Sequence, residues 1–348
     1  MKGGEPSSIL IIRLSSMGDV ILTTHLARNL RNNFPKARID FITAKPFIEI
    51  YKHNPHINNL IEYEKSWKGI DIKNLKKQIL LRIENKKYDL LIDLQRNLRS
   101  FQLSQGLAKK IVKVRKNRLN KLSLVYFKKN LSKKIKQIPE IYFETVSDYH
   151  LPDDEKGLEL WLPEDKEKGF YLPFSNQNVS RGKLRIAVAP GAYHKTKRWL
   201  PERFAELIKL IRDKYEAELV IIGGKSDVEI TKNIINLSEV KLIDNSGSDS
   251  IISTAEVIDK CNLLITNDTG VMHIAAARQV PVVAIFGSTV KEFGFTPFRV
   301  ENVIVEKDVP CRPCTHIGRD KCPKGHFDCM NKISVEDVSM GAKKILNK

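Results

Sequence analysis

Apolar residues in this chain fall in short runs closed by turn formers, and most runs lead into a stretch with helical spacing. Ile9 to Leu14 ("ILIIRL") is the first run. Ser15-Ser16-Met17-Gly18-Asp19 closes it, and apolar residues then recur at 20, 21, 22, 26, 27 and 30. That spacing predicts a helix from Val20 to Leu30. A second strand is expected over Arg38 to Ile42, so the opening reads strand–helix–strand, the unit of a parallel doubly wound sheet. A short strand at Leu60 to Tyr63, a helix ending near Asn85 and a strand from Leu90 to Leu94 continue the pattern. It starts anew with Leu184 to Ala189, a helix with Pro201 in its first turn, and a strand ending in Gly223-Gly224. A helix over Ser253 to Lys260 and a strand at Leu263 to Ile265 follow. After a helix that stops near Gln279 comes another strand, Pro281 to Phe286, and an amphipathic helix capped by Ser334 or Asp337 ends the chain. The expected fold class is therefore α/β: two Rossmann-like doubly wound domains facing a cleft, residues 1–180 and 181–348. The proline-punctuated residues 149–183 read as the linker.

Three turns at strand ends carry candidate chemistry, because ligands of open α/β sheets bind at the carboxyl ends of the strands. In Asn267-Asp268-Thr269-Gly270 a strand passes into a helix whose amino terminus offers N–H groups and a positive dipole end to an anion. His273 sits one turn further on. Asp268 or Thr269 would serve equally as a plain helix cap, and the turn alone leaves both readings open. The same choice faces Asp19 after the first strand, where Gly18 lets a ligand approach closely. Arg96 and Arg99, after Leu94, can hold a carboxylate or phosphate by forked hydrogen bonds. Lys195, Lys197 and Arg198 lie in the loop before Pro201, and Asp227 follows Gly223-Gly224. No G-x-G-x-x-G follows the first strand, which argues against a dinucleotide dehydrogenase.

Charge adds a partner to this picture. The 348 residues are 42% hydrophobic and 29% charged, with a formal net charge of +18. Between Asp93 and Glu140 there is no acidic residue, whereas fourteen Lys and Arg accumulate, Lys109, Lys110, Lys113 and Arg115 among them. So one-sided a run points to an anionic partner: nucleic acid, a phosphorylated glycolipid or the inner-leaflet surface. No apolar run approaches the roughly 18–20 residues of a membrane span. "MKGGEPSS" lacks the apolar core of a signal peptide, so the protein is expected in the cytoplasm. Cys311, Cys314, Cys322 and Cys329 cluster near the C-terminus with His316 and His326 between them. Reduced thiols in a packed loop are the main reading there, and a structural zinc site the minor one.

Four stretches, "IIRLSSMGDVILTTHLARNLRNNFP", "YDLLIDLQRNLRS", "APGAYHKTKRWLPERFAEL" and "NDTGVMHIAAARQVPVVAIFGST", together resemble glycosyltransferase family 9, the ADP-heptose:lipopolysaccharide heptosyltransferases. The cysteine segment is similar to one found in members of that family. The resemblance runs from residue 9 to 330 and implies a two-domain GT-B fold, with acceptor on the N-terminal half and nucleotide-sugar on the C-terminal half. It implies inverting transfer of heptose from ADP-L-glycero-D-manno-heptose to Kdo or heptose of the lipopolysaccharide inner core, without a catalytic metal or other cofactor. By the same resemblance Asp19 is the general base. Lys197, Asp227, Asp268, Thr269, Gly270 and His273 bind the donor. Ser16, Gly18, Trp67, Lys68, Arg96 and Arg99 face the anionic acceptor. The basic surface then suits peripheral contact with the cytoplasmic face of the inner membrane. Ala192 and Tyr193 depart from the hydroxyl residues some members place before the lysine, and Leu200 lengthens the W-P step. A sibling transferase using another nucleotide-sugar or acceptor fits the same motifs. A basic nucleic-acid-binding protein is the reading from a different class, disfavoured because the basic region holds only Phe101, Tyr126 and Phe127 as stacking rings.

Overall fold

A computed structural model of the chain describes residues 4–84, 86–132, 134–165 and 183–347. They form two compact units: Met1–Lys116 with Ile138–Phe170, and Asn117–Gln137 with Tyr171–Lys348. The expected boundary near residue 180 lies outside the described residues.

The first unit is built on a five-stranded sheet: β1 (Ser8–Ile12), β2 (Arg38–Ala44), β3 (Asn59–Tyr63), β4 (Tyr88–Asp93) and β5 (Ala108–Lys113). Their order is β3-β2-β1-β4-β5, and every pair is parallel. The central strands are buried on both faces, which is why Ile9 to Ile12 and Leu90 to Ile92 read as continuous apolar runs. β5 was hidden in the sequence because its lysines mask the strand. It is the sheet edge, where lysines discourage pairing with another chain. Lys109 pairs with Asp89 at 2.7 Å and Lys110 with Asp148 at 3.2 Å, so this part of the basic run is met by acids of its own unit.

The helix expected over Val20 to Leu30 is two helices, α1 (Met17–Ile21) and α2 (Thr24–Asn33). Two adjacent threonines explain the break. The Thr23 hydroxyl donates to Val20 O at 2.6 Å and that of Thr24 to Ile21 O at 2.8 Å, taking carbonyls that a continuous helix would use. α3 (Gly69–Leu81), α4 (Leu98–Ser104) and, after the excursion described below, α6 (Ile138–Phe143) complete the unit.

The stretch read as linker is, up to residue 165, packed structure. Leu158, Leu160 and Leu162 are buried, and Asp154 and Glu159 bind the buried Arg28 of α2 at 2.6 and 3.2 Å. Its acids looked like solvated punctuation because their cationic partner lies over a hundred residues earlier. Residues 166–182 of the proposed linker lie outside the described residues.

The second unit has six parallel strands: β6 (Arg185–Ala189), β7 (Glu218–Gly223), β8 (Ile243–Ser246), β9 (Leu263–Asn267), β10 (Val282–Phe286) and β11 (Asn302–Glu306). The order is β11-β10-β9-β6-β7-β8. Helices α7 (Pro201–Tyr215), α8 (Val228–Ser238), α9 (Ile251–Asp259), α10 (Gly270–Ala277), α11 (Asp328–Asn331) and α12 (Val335–Leu346) surround it. Ser334 and Asp337 both cap α12, as a reciprocal box. The second unit also takes α5 (Arg118–Phe127), inserted from the first half of the sequence. Its Leu124 packs with Val290 and Phe293, a contact that no local sequence signal announces.

In both sheets the first and fourth strands of the unit lie side by side, β1 with β4 and β6 with β9. Strand order reverses between them. Crevices of α/β sheets open outside the carboxyl ends at that point, and Asp19, Arg96, Lys197 and Asp268 follow those four strands.

Candidate functional site

In the first unit, β1 delivers Arg13 and the turn into α1 at the carboxyl edge of the sheet. Asp19 occupies the third position of α1 and has two jobs. Its Oδ2 accepts hydrogen bonds from the N–H and hydroxyl of Ser16 at 3.3 and 3.0 Å, closing the helix end. Its Oδ1 pairs with Arg13 Nη2 at 2.8 Å and accepts from the Tyr142 hydroxyl at 3.4 Å. The capping reading of Asp19 is therefore real, but it uses one oxygen only, and 22% of the side chain stays exposed.

Burial pushes the Asp19 carboxyl upward, but the Arg13 charge and the Ser16 hydrogen bonds outweigh it and hold the group below its ordinary value. Arg13 is raised in turn: burial alone would lower it, and the fields of Tyr142 and Asp19 overcome that. Burial drives the Tyr142 hydroxyl far up, so it stays a proton donor. Arg13 and Tyr142 were not predicted as site residues. Arg13 reads as the end of a strand, and Tyr142 arrives 123 residues after Asp19.

The neighbouring strand end is stapled to this turn. Gln95 Oε1 accepts from the N–H groups of Leu14 and Ser15 at 3.0 and 3.2 Å, and Arg13 Nη1 donates to Leu94 O at 2.6 Å. Buried Asp93 accepts from the N–H groups of Gln95 and Arg96 and from the Ser100 hydroxyl, fixing the loop that carries the two arginines. Arg96 spends one nitrogen on Val114 O at 3.0 Å, and both Arg96 and Arg99 are exposed. Ser16, Gly18, Asp19 and Arg96 thus gather at one sheet edge. Trp67 and Lys68 are elsewhere in the unit: Trp67 packs edge-on against Tyr63 at 5.7 Å and Lys68 is the exposed residue before α3.

In the second unit, Asp268 ends β9 and Lys197 closes the loop from β6. They meet: Lys197 Nζ lies 2.6 Å from Asp268 Oδ2, which also accepts from the Thr289 hydroxyl at 2.7 Å. Asn267 anchors that loop by accepting from Trp199 N–H at 3.1 Å and donating to Pro190 O at 2.7 Å. Trp199 is wholly buried, its indole donating to Ile333 O at 3.1 Å, so the tryptophan of the K-x-W sequence is a structural anchor for the lysine. Thr196 binds Ser288 and the Arg319 N–H. Thr289 and Ser288, missed from sequence, follow directly on the "AIFG" strand that was read only as core.

Thr269 has the extended backbone of a cap, but its hydroxyl caps nothing. Thr269 Oγ1 is buried and has no hydrogen-bond partner among the described residues, and α10 shows no side-chain cap. The first-turn N–H groups of α10 have no acceptor within the helix, so this end keeps its donors and its dipole for an anion. Gly270 begins the helix, and His273 is buried one turn in. Asp227 takes the Gly224 N–H at 3.1 Å and stands 4.0 Å from Arg198. It lies so close to Gly191 that a Cβ there would overlap its carboxylate.

Among the described residues, His25, Asp153 and Asp154 place ligand atoms within 4.8 Å of one another. Arg28 already binds Asp154 there, which supplies the cation the acids need. In the C-terminal segment Cys311 Sγ lies 3.9 Å from His326 Nε2, and burial pushes the Cys329 thiol up to about 11.

The model of the family described as glycosyltransferase family 9 (heptosyltransferase) matches residues 77–323. The chain is similar to lipooligosaccharide heptosyltransferase 2 of Campylobacter jejuni, 27% identical over 95% of each chain. Among solved structures, the glycosyl transferase family 9 protein of Veillonella parvula superposes with a TM-score of 0.76 at 23% identity, covering 98% of this chain and 97% of that one. Escherichia coli heptosyltransferase WaaC with ADP-2-deoxy-2-fluoro heptose gives 0.67 at 19% identity, over 97% and 99%. Two parallel sheets of Rossmann-like order, a family model spanning most of the chain and relatives matched along nearly their whole length lead to one conclusion: this chain belongs to glycosyltransferase family 9 and is a glycosyltransferase.

Proposed function

We propose that the chain moves heptose from ADP-L-glycero-D-manno-heptose to a Kdo or heptose unit of the lipopolysaccharide inner core, with inversion at the anomeric carbon. The uncapped end of α10 beside Lys197 carries this reading, because it is built for the diphosphate of a nucleotide-sugar. The ADP-sugar analogue named with the Escherichia coli neighbour and the heptosyltransferase names of the relatives support the donor.

The roles follow from the chemistry. The acceptor hydroxyl attacks the anomeric carbon as the bond to the β-phosphate oxygen breaks, and the proton passes to Asp19. Arg13 keeps that carboxylate ionised at neutral pH, and Ser16 and Tyr142 orient it. The departing ADP takes the bonding pair and gains charge on its terminal phosphate. Lys197, the Thr269 and Gly270 N–H groups and His273 meet that charge. Asp268, held between Lys197 and Thr289, orients donor sugar hydroxyls. Asp227 lies toward the ribose or adenine. In the first unit Arg96 and Arg99 bind the acidic acceptor sugars, with Trp67 and Lys68 at the periphery. The Lys197–Asp268 pair implies that donor binding shares the lysine between carboxylate and phosphate.

The test is ADP release from ADP-heptose with two acceptors, a Kdo-terminated lipid A core and one already bearing a heptose. Release with one and not the other supports the reading and ranks the acceptor. No release with either moves the activity to another nucleotide-sugar or acceptor of the family.

A further inference from the structure

Helix α5 and the residues after it carry a feature that the transfer reaction does not use. The inward side of α5 is ordinary: Asn120, Ser123 and Leu124 are buried, Leu124 against Val290 and Phe293. Just past the helix, Lys128 Nζ donates to Pro313 O at 2.7 Å, a second anchor beside Leu124. Its outward side is inverted. Leu119, Leu122 and Tyr126, spaced i, i+3, i+7, share one face, and with Phe127 they are 52–77% exposed. A helix face toward water ordinarily carries polar side chains. Leu131 and Ile135 are exposed as well, so six of the fifteen exposed large apolar side chains among the described residues fall within 119–135. Clustering of that kind marks an interaction surface.

Charge names the partner. Residues 117–137 contain seven Lys and Arg and no Asp or Glu. In β5, Lys109 and Lys110 lie beside Asp89 and Asp148. A cavity of about 540 Å³ adjoins the apolar face, with Arg118, Lys121, Leu122 and Tyr126 on one wall and Ile317 and Arg319 on the other. Basic groups around an exposed leucine and aromatic face are the pattern of a helix lying in a membrane interface. A nucleic acid would use rings for stacking and has no use for Leu119, Leu122, Leu131 and Ile135.

We propose that residues 117–137 form a bilayer-docking element. The face of Leu119, Leu122, Tyr126 and Phe127 enters the boundary between headgroups and acyl chains of an anionic membrane, and the surrounding Lys and Arg hold lipid phosphates. This is independent of the donor and base assignments, because vesicle binding needs no sugar substrate.

The test is flotation of the full-length protein with phosphatidylcholine vesicles, with and without phosphatidylglycerol. The protein is expected on the phosphatidylglycerol vesicles, less so as salt rises. The combined variant Leu119→Ser, Leu122→Ser, Tyr126→Ser, Phe127→Ser is expected to bind about ten-fold or more weakly, given the apolar area removed. Leu237→Ser with Met340→Ser, exposed apolar positions elsewhere, leaves binding unchanged. In the native chain, amide exchange over residues 118–131 slows when those vesicles are added. That readout does not depend on any variant folding. Native-level binding by the combined variant, or unchanged exchange on saturating vesicles, would overturn the proposal. So would displacement of the protein from vesicles by single-stranded RNA.

Discussion

Each unit places a helix after a strand at its switch point, the first strand in one unit and the fourth in the other, with an aspartate in each turn, yet the two helix ends differ. In α1 the end is closed from within: Ser16 and Asp19 satisfy each other, and the second carboxylate oxygen faces Arg13. In α10 the end is open: the Thr269 hydroxyl has no partner among the described residues, and Asp268 is drawn away to Lys197 and Thr289. A closed end with an ionised, partly exposed carboxylate suits proton removal. An open end beside a lysine suits an anion. The lesson is that a motif of one shape yields a base or a phosphate cradle according to whether its aspartate folds back onto the residue before the helix or turns away from the helix end.

The largest effect on binding that sharpens this contrast is expected from Lys197→Gln. If the open end holds phosphates with the lysine, ADP affinity falls about ten- to a hundred-fold, the range for a lost charge-assisted bond. Adenosine affinity stays as it was. Calorimetric titration of both ligands reads the difference, and an equal loss for adenosine would break the contrast.

A smaller effect is expected at the closed end. The folded-state value of Asp19 is depressed, so the stability it contributes is present above its unfolded value and is lost as pH falls through the folded one. The acid limb of activity that it controls therefore lies below the ordinary aspartate value of about 3.9. In Arg13→Gln the largest lowering influence on Asp19 is lost, and the limb moves to higher pH. A profile of kcat/KM against pH with an unmoved limb would remove Arg13 as the group that keeps Asp19 ionised.

Much of this was legible in the sequence, for reasons that also explain the misses. Central strands are apolar on both faces, so β1, β4, β6, β9 and β10 announce themselves. β5 and β8 lie at sheet edges and carry polar residues, and the period disappears. The turns at Asp19 and Asp268 were visible because glycine and capping residues interrupt apolar runs. Their electrostatic partners were not: Tyr142 and Thr289 are brought in by tertiary packing, and Arg13 looks like the last residue of a strand. The packing partner of α5 was hidden for the same reason. Its Leu124 meets Val290 and Phe293 over 160 positions later, and nothing local says which core an amphipathic helix will choose. Residues 150–162 misled through composition, since their acids read as solvated until Arg28 and His25 are placed beside them.

The measurement that goes most directly to the division of labour is a paired one on Asp19→Asn. The rate of ADP release with ADP-heptose and acceptor is followed alongside the Kd for ADP. Turnover is predicted to fall by about 10²–10⁴-fold, the range for a general base, while the Kd for ADP keeps its native value. Turnover at the native rate, or an ADP affinity that falls together with turnover, would contradict the assignment of the closed end to proton removal and the open end to the donor.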